Sequence, residues 1–537
     1  MSAEQAQHAA APPPLEGIKL VIATIAVALA TFMIVLDSSI ANVAIPTIAG
    51  NLGVSLDEGT WVITVFAAAN AIAIPLTGWL TLRFGQIRLF ISAIVLFVLT
   101  SWLCGLATNL PFLLFARVLQ GFVAGPLIPL SQAILLGSYP REKSSIALAL
   151  WGMTATVGPI AGPTLGGWIT ASYDWSWIFY INIPVGLFAA VVCWFIYHDR
   201  ETERKIFPID TIGLILLIVW VAALQIMLDK GKNLDWFNSP EIIILAIIAG
   251  VTFCYFLVWE LTQKNPVIDL SLFAGRNFTG GTIAIAVGYG VFFGNLVLLP
   301  QWLQQDLAYP SLNAGLVMAP LGVFAVICSP IVGRILPKTD ARVITTIAFL
   351  LFALVFYLRS LYTSGVDTWT LVIPTLLQGI PVAMFFIPLS LIILSGLPAD
   401  KIAAAAGLSN FARVFCGAIG TSIASTTWNN RAIVHHSQLT EQSTPYTTTF
   451  NDFIHLSQRV LDINQEQSYA LFNRIVDVQS DTLGLNDIFG SHRLSSLPSF
   501  LSCGSPSLNQ VPCMRWLWKP KKSGVDTYCN KLPVSLF

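Results

Sequence analysis

From residue 19 to about residue 427 the sequence is a succession of apolar runs, each about 20 residues long and separated by short polar or Gly/Pro-containing joints. About 20 consecutive apolar residues are what a helix needs to cross a bilayer. In hydrocarbon each backbone N–H and C=O must find its partner inside the protein, which leaves helices as the economical solution. Thirteen runs can be read, at about 19–45, 59–80, 89–107, 112–137, 145–170, 177–197, 210–229, 240–261, 279–300, 314–336, 342–362, 369–395 and 402–427. The composition agrees, with 55% hydrophobic and 10% charged residues and a mean hydropathy of +0.73. A soluble domain carries about 25% charged residues. The expected class is an all-α polytopic membrane protein.

Several functions are excluded on the same grounds. The formal net charge is zero and no basic block suggests a nucleic-acid partner. The eight cysteines form no CxxC pair, and Cys104, Cys193, Cys254, Cys328 and Cys416 sit alone in apolar runs. Cysteine there behaves as a small hydrophobe, so neither a disulfide framework nor a metal site is expected. No HExxH or paired membrane aspartates suggest an enzyme, and no filter loop or ring of pore charges suggests a channel. Residues 1–17, rich in Ala, Pro and Gln, read as a disordered tail, and the first apolar run is too long for a cleaved signal peptide.

Basic residues orient the runs. With the amino terminus cytoplasmic, the inside segments carry Lys19, Arg83, Arg88, Arg141, Lys143, Arg200, Arg204, Lys205, Lys264, Arg276, Arg334, Lys338, Arg342 and Lys401. The outside loops carry Lys230, Lys232 and Arg359, so the asymmetry follows the positive-inside rule. The sequence also echoes itself. Gly78-Trp79-Leu80-Thr81-Leu82-Arg83 after the second run resembles Gly333-Arg334-Ile335-Leu336-Pro337-Lys338 after the tenth. Leu119-Gln120-Gly121 in the fourth resembles Leu377-Gln378-Gly379 in the twelfth. Both echoes pair run n with run n+8. The chain therefore divides into a six-helix bundle (18–200), two additional helices (201–265) and a second bundle (266–489), and repeated halves place a site at their interface.

Within the first bundle, Gly158, Gly162 and Gly166 recur every four residues and stack on one helix face, with Gly167 following and Pro159 and Pro163 bending the same turns. A face without side chains admits another helix almost backbone to backbone, here expected to be a contact between the bundles. Asp37 in the first run and Arg117 in the fourth lie at similar depth in the outer half. An ionisable residue at the bilayer centre costs about 2.5–3.5 kcal/mol on insertion scales and is rarely idle. The two form either a proton-coupling site or a permanent structural pair. Arg413 is a third intramembrane charge, lining a watery cavity or binding helix carbonyls. Asn42, Asn70, Gln120, Trp151 and Gln378 are further candidate cavity groups, each individually suited to bridging helices. In the loop from Gly78 to Arg88, Gly85 permits a tight turn, and Arg83 and Arg88 can meet a helix end or an acid and latch the cytoplasmic side.

These residues resemble the fourteen-helix drug:proton antiporter branch of the major facilitator superfamily, and within it the EmrB-type multidrug exporters. The resemblance spans roughly residues 15–490 and rests on the Asp37 segment, the loop, Arg117-Val118-Leu119-Gln120-Gly121, the Gly158–Gly167 antiporter motif, and Trp175 through Gly186. It implies proton-coupled efflux of hydrophobic or cationic compounds across a bacterial inner membrane, with Asp37 and Arg117 in coupling and the proton as coupling ion. No other cofactor is implied; a periplasmic adaptor and an outer-membrane channel are implied as partners. The common loop acid is Leu82 here and the basic residue after Gly85 is Gln86. A proton-linked importer or facilitator would share the fold, but the antiporter motif speaks against it. The match ends near residue 490. A fourteenth helix is expected after a long polar periplasmic loop, 428–486, yet Gly490 to Phe537 offers no apolar run of spanning length. A reading-frame change near residue 490 would replace that helix with a disordered tail, 490–537, and leave the product unstable or inactive.

Overall fold

The computed structural model describes residues 13–504 except 203, 205–209, 264–265, 442 and 444–446. The first bundle contains α1 (Gly17–Leu52), α2 (Trp61–Ala73 continued by Thr77–Phe84), α3 (Gln86–Gly105), α4 (Leu110–Ser138), α5 (Ser144–Ser172) and α6 (Trp177–Tyr197). Then come α7 (Thr211–Lys230) and α8 (Pro240–Thr262). The second bundle contains α9 (Arg276–Gln305), α10 (Ser311–Ile335), α11 (Ala341–Arg359), α12 (Thr368–Leu394) and α13 (Ile402–Glu441), followed by α14 (Thr448–Leu461) and α15 (Gln465–Gly504). All thirteen expected runs are helices. Eleven are long and apolar enough to span as single pieces, and α2 and α5 are bent, by 61° and 41°. The bend in α5 falls at Pro159, where a missing N–H breaks the helical ladder.

The repeat read from the sequence is also a repeat of contacts. α1 packs on α5 as α9 packs on α13, α2 on α4 as α10 on α12, and α3 on α4 as α11 on α12. The extra helices are asymmetric. α7 packs on both α2 and α13: the Ser422 hydroxyl donates to the Leu228 carbonyl at 2.9 Å, and Lys230 Nζ lies 5.1 Å from the Trp61 ring. α8 covers α7 and presents Ile244, Ile247, Val251, Tyr255 and Val258 outward, as a lipid-facing helix should.

Two expectations for the end of the chain need correction. The segment 428–486 is not a loop but largely helical. α13 runs for 40 residues, about 60 Å at 1.5 Å per residue, twice the thickness of a hydrocarbon core. Nor is the tail expected from residue 490 irregular at its start, because Gly490 lies inside α15, which continues to Gly504. Leu485, Ile488 and Phe489 of α15 are buried against Trp302 and Tyr362, and α15 packs on α9, α11 and α13 where the repeat calls for the last helix. Its buried apolar residues, Val476, Leu485, Ile488 and Phe489, are separated by polar ones, and Ile475 is exposed. Such an interrupted pattern gives no continuous apolar run, and among the described residues no fourteenth helix is apolar enough to span alone. Residues 505–537 of the expected tail lie outside the described residues, as do residues 1–12 at the amino end. Arg359, expected in an outer loop, is fully buried at the end of α11.

Candidate functional site

Asp37 and Arg117 meet. Arg117 Nη1 donates to Asp37 Oδ2 at 2.7 Å, and both side chains are fully buried. The pair is the centre of a network drawn from five helices. Gln120, one turn after Arg117 on α4, donates to Asp37 Oδ1 at 3.1 Å and accepts from Arg117 Nη1 at 2.6 Å. Asn182 of α6 donates to the same Oδ1 at 2.7 Å. Ser101 of α3 accepts from Gln120 at 2.8 Å and from Asn182 at 3.3 Å. Arg117 Nε donates to the Val62 carbonyl of α2 at 3.1 Å, and the guanidinium lies 4.1 Å from the Phe66 ring centroid. One guanidinium nitrogen, Nη2, has no hydrogen-bond partner. Asp37 Oδ1 thus accepts from two neutral amides and Oδ2 from the cation, so the network can redistribute its bonds if Asp37 gains a proton.

The glycine seam lies directly beside this pair. A Cβ on Gly158 would stand 2.8 Å from the Val35 Cβ, one on Gly162 2.5 Å from the Ser39 Cβ, and one on Gly166 2.8 Å from the Ile40 Cγ1. Val35, Ser39 and Ile40 surround Asp37 on α1, and Ser39 donates to the Pro159 carbonyl at 3.0 Å. The seam therefore joins two helices of one bundle, which corrects the expectation of a contact between bundles. α5 does reach the second bundle, but with another face. There the glycines belong to the partner helix: a Cβ on Gly315 of α10 would lie 2.8 Å from Thr164 Oγ1, and one on Gly333 2.9 Å from the Ala149 Cβ. Ser145 also donates to the Gly333 carbonyl at 2.8 Å. A glycine pattern announces a close approach without saying which helix makes it. Pro163 and Gly167 are half-buried on the remaining surface of α5.

The other candidates divide. Gln120 belongs to the Asp37 network. Trp151 and Arg413 meet across the bundle interface, with the Arg413 guanidinium carbon 5.6 Å from the Trp151 ring. Gln378 is buried on α12 with neither amide atom paired. Asn42 is exposed and donates weakly to its own helix at Ser38, and Asn70 is half-buried; neither joins these clusters. In the loop, Gly78 approaches the second bundle, where a Cβ would stand 2.7 Å from the Ala404 Cβ. Arg83 lies 5.5 Å from the Trp79 ring. Gly85 has φ +89° and is covered by Glu201, whose carboxylate accepts from the backbone N–H groups of Ile87 and Arg88 at 3.0 and 2.9 Å. Arg88 stands 3.9 Å from the same carboxylate. Glu201, from the segment after α6, thus caps the start of α3. Ser101, Asn182 and Glu201 escaped the reading of the sequence. For Asn182 the available signal was an amide set in an apolar helix.

Two pseudo-repeated bundles and a buried ion pair beside a glycine seam point to one family of membrane proteins, and comparison with known proteins agrees. The model of the Major Facilitator Superfamily matches residues 27–421. The chain belongs to the major facilitator superfamily. It is 50% identical over 477 residues to the multidrug export protein EmrB of Escherichia coli K12, covering 89% of this chain and 93% of that one. It is 49% identical over 478 residues to the fatty acid resistance protein FarB of Neisseria gonorrhoeae, covering 89% and 94%. Among solved structures, the human organic anion transporter MFSD10 superposes with a TM-score of 0.57 at 14% identity, over 91% of this chain and all of that one, a likeness of fold. Within this superfamily, α1–α6 and α9–α15 are the two halves of a transporter, with α7 and α8 inserted between them.

Proposed function

We propose that the protein is a proton-coupled exporter of hydrophobic small molecules, working by alternating access and carrying out no covalent chemistry. Its relatives' names, multidrug export and fatty acid resistance, support export of apolar compounds. On this reading the start of α1 faces the cytoplasm of a bacterial inner membrane, and the projecting ends of α13 and α15, with α14, stand on the periplasmic side, where an adaptor leading to an outer-membrane channel would dock. Cationic drugs fall within the class implied by resemblance.

The observation that carries the coupling reading is the fully buried Asp37–Arg117 pair, held from five helices and flanked by the α1–α5 seam. Protonating Asp37 removes the charge that Arg117 faces and frees the guanidinium to move. Movement of α1 is then transmitted to α5, and α5 carries the main contact with α10 of the other bundle. One proton moving down 100 mV supplies about 2.3 kcal/mol, enough for a gradient of about 50-fold in a neutral substrate. In everted vesicles, substrate should release protons in the wild type and not in Asp37→Asn, which still binds substrate. Undiminished proton-driven efflux by Asp37→Asn would remove Asp37 from this role.

A further inference from the structure

We propose that Arg413 is a specificity-determining residue that receives the anionic group of an amphiphilic substrate, its apolar body lying against Trp151, Tyr289 and Phe386. This rests on the transport reading above and adds a charge preference to it. Arg413 lies on α13 in the half of the membrane near the start of α1, where the bundles meet. It is only 6% exposed. Its guanidinium carbon stands 5.6, 5.1 and 5.8 Å from the rings of Trp151, Tyr289 and Phe386, which come from α5, α9 and α12. Nε has no hydrogen-bond partner, and among the described residues Arg413 forms no salt bridge. It borders a water-sized void shared with Gln132, Ser390, Ser409 and Asn410, all neutral.

The contrast with Arg117 gives this meaning. Arg117 has a carboxylate at 2.7 Å; Arg413 has only the negative faces of three rings, a weak substitute for water or an anion. A guanidinium binds a carboxylate through two parallel N–H bonds, and its planar face tolerates flat apolar neighbours, so a lipophilic acid fits both its parts. A cation of the same shape would meet like charge. The location suits recognition, because the Asn410 amide donates to Gln132 of the first bundle at 3.1 Å directly beside the void. Parting of the bundles on this side breaks that neutral bond and exposes Arg413 to the cytoplasm. Closure then returns the arginine to its aromatic box.

The test is equilibrium binding to the full chain in lipid nanodiscs at pH 7 without a proton gradient, with empty discs as reference. The probes are 1-naphthylacetate and protonated 1-naphthylmethylamine, which share an apolar body and differ in charge. The wild type should bind the anion at least about tenfold more tightly than the cation. Arg413→Gln should lose at least about tenfold in anion affinity and leave cation binding unchanged or tighter, and Arg413→Lys should keep the preference at reduced affinity. A wild type without anion preference, or an Arg413→Gln that weakens both probes equally, overturns the proposal. The wild-type comparison stands even if a variant does not fold. Because no proton gradient is present, failure of the coupling reading at Asp37 leaves this result untouched.

Discussion

The two bundles share a contact plan and differ in what they do with a buried arginine. In the first, Arg117 faces Asp37, and Gln120, Asn182 and Ser101 join the network. In the second, Arg359 is equally buried, donates to Thr375 at 3.1 Å, and has neither Nε nor Nη1 paired; Gln378, one turn from Thr375, has no partner for its amide. The repeated fold therefore places a buried arginine in each half, and among the described residues the first half alone pairs it with an acid. Buried without a carboxylate among the described residues, Arg359 can hold its helix end together, and its titratable neighbour is the Tyr362 phenol. On the coupling reading proposed above, this asymmetry favours the first bundle as the place where a proton would act.

The largest expected effect sharpens that contrast. Removing one member of a buried ion pair costs about 3–5 kcal/mol, because the remaining charge stays desolvated. Arg117→Met should therefore destabilise the protein by about that amount, although Gln120 and Asn182 still donate to Asp37. Arg359→Met removes a buried charge with two unpaired nitrogens and should be neutral or stabilising. Thermal unfolding in one detergent measures both. Equal losses would mean that Arg359 has a counter-charge as effective as Asp37, and the distinction between the bundles would fall.

A second comparison sets seam against seam. In the first bundle the glycines of α5 meet the Val35, Ser39 and Ile40 side chains of α1. In the second, backbone meets backbone: a Cβ on Gly420 of α13 would lie 2.3 Å from the Gly290 carbonyl oxygen and 2.7 Å from its Cα. A new rotamer of Val35 can withdraw its Cγ1, at 2.6 Å, though not its Cβ at 2.8 Å, so Gly158 is relieved in part; the Gly290 backbone can yield only by moving the helix. Overpacking costs typically about 1–3 kcal/mol, so Gly420→Ala should fall at the upper end and Gly158→Ala, which meets Val35, at the lower. Melting of the two variants, with Leu165→Ala as reference, checks the order. Reversal would show that α1 is held more rigidly than α9.

What the sequence disclosed and what it withheld follow from the kind of signal involved. Thirteen helices were legible because a continuous apolar run has few folds open to it in lipid. Asp37 and Arg117 stood out because charge in such runs is rare. Their supporting groups did not, because hydroxyls and amides in membrane helices commonly bond their own backbone, as Thr31 does to Val27 at 3.1 Å, and Ser101 and Asn182 are picked out only by tertiary approach. Glu201 was hidden for a related reason: it caps α3 from a distant part of the chain. α15 was missed because polar residues interrupt its apolar ones.

The smallest expected effect concerns the outer rims. At the first bundle's rim, α1 and α6 close with an apolar cluster containing Ile48, Trp175, Ile178 and Phe179. At the second, just beyond the end of α9, Asp306 bonds to Asp481 of α15, with Asp477 and Arg474 nearby. Burial, and then the neighbouring Asp481 charge, push Asp306 up to about 7 from its ordinary 3.8, and Asp481 is raised as well, so the two titrate as a pair. In the unfolded chain the carboxyl releases its proton near pH 4; in the folded protein it keeps it until about pH 7. The folded state binds more protons across that window, so its stability falls as pH rises from about 4 to about 7 and levels off above it. Asp306→Asn removes the like-charge cost. Its Tm should exceed that of the parent by on the order of 2 °C at pH 8 and match it near pH 4. An advantage equal at both pH values would mean that the substitution acts through packing, and that the second rim is no more sensitive to pH than the first.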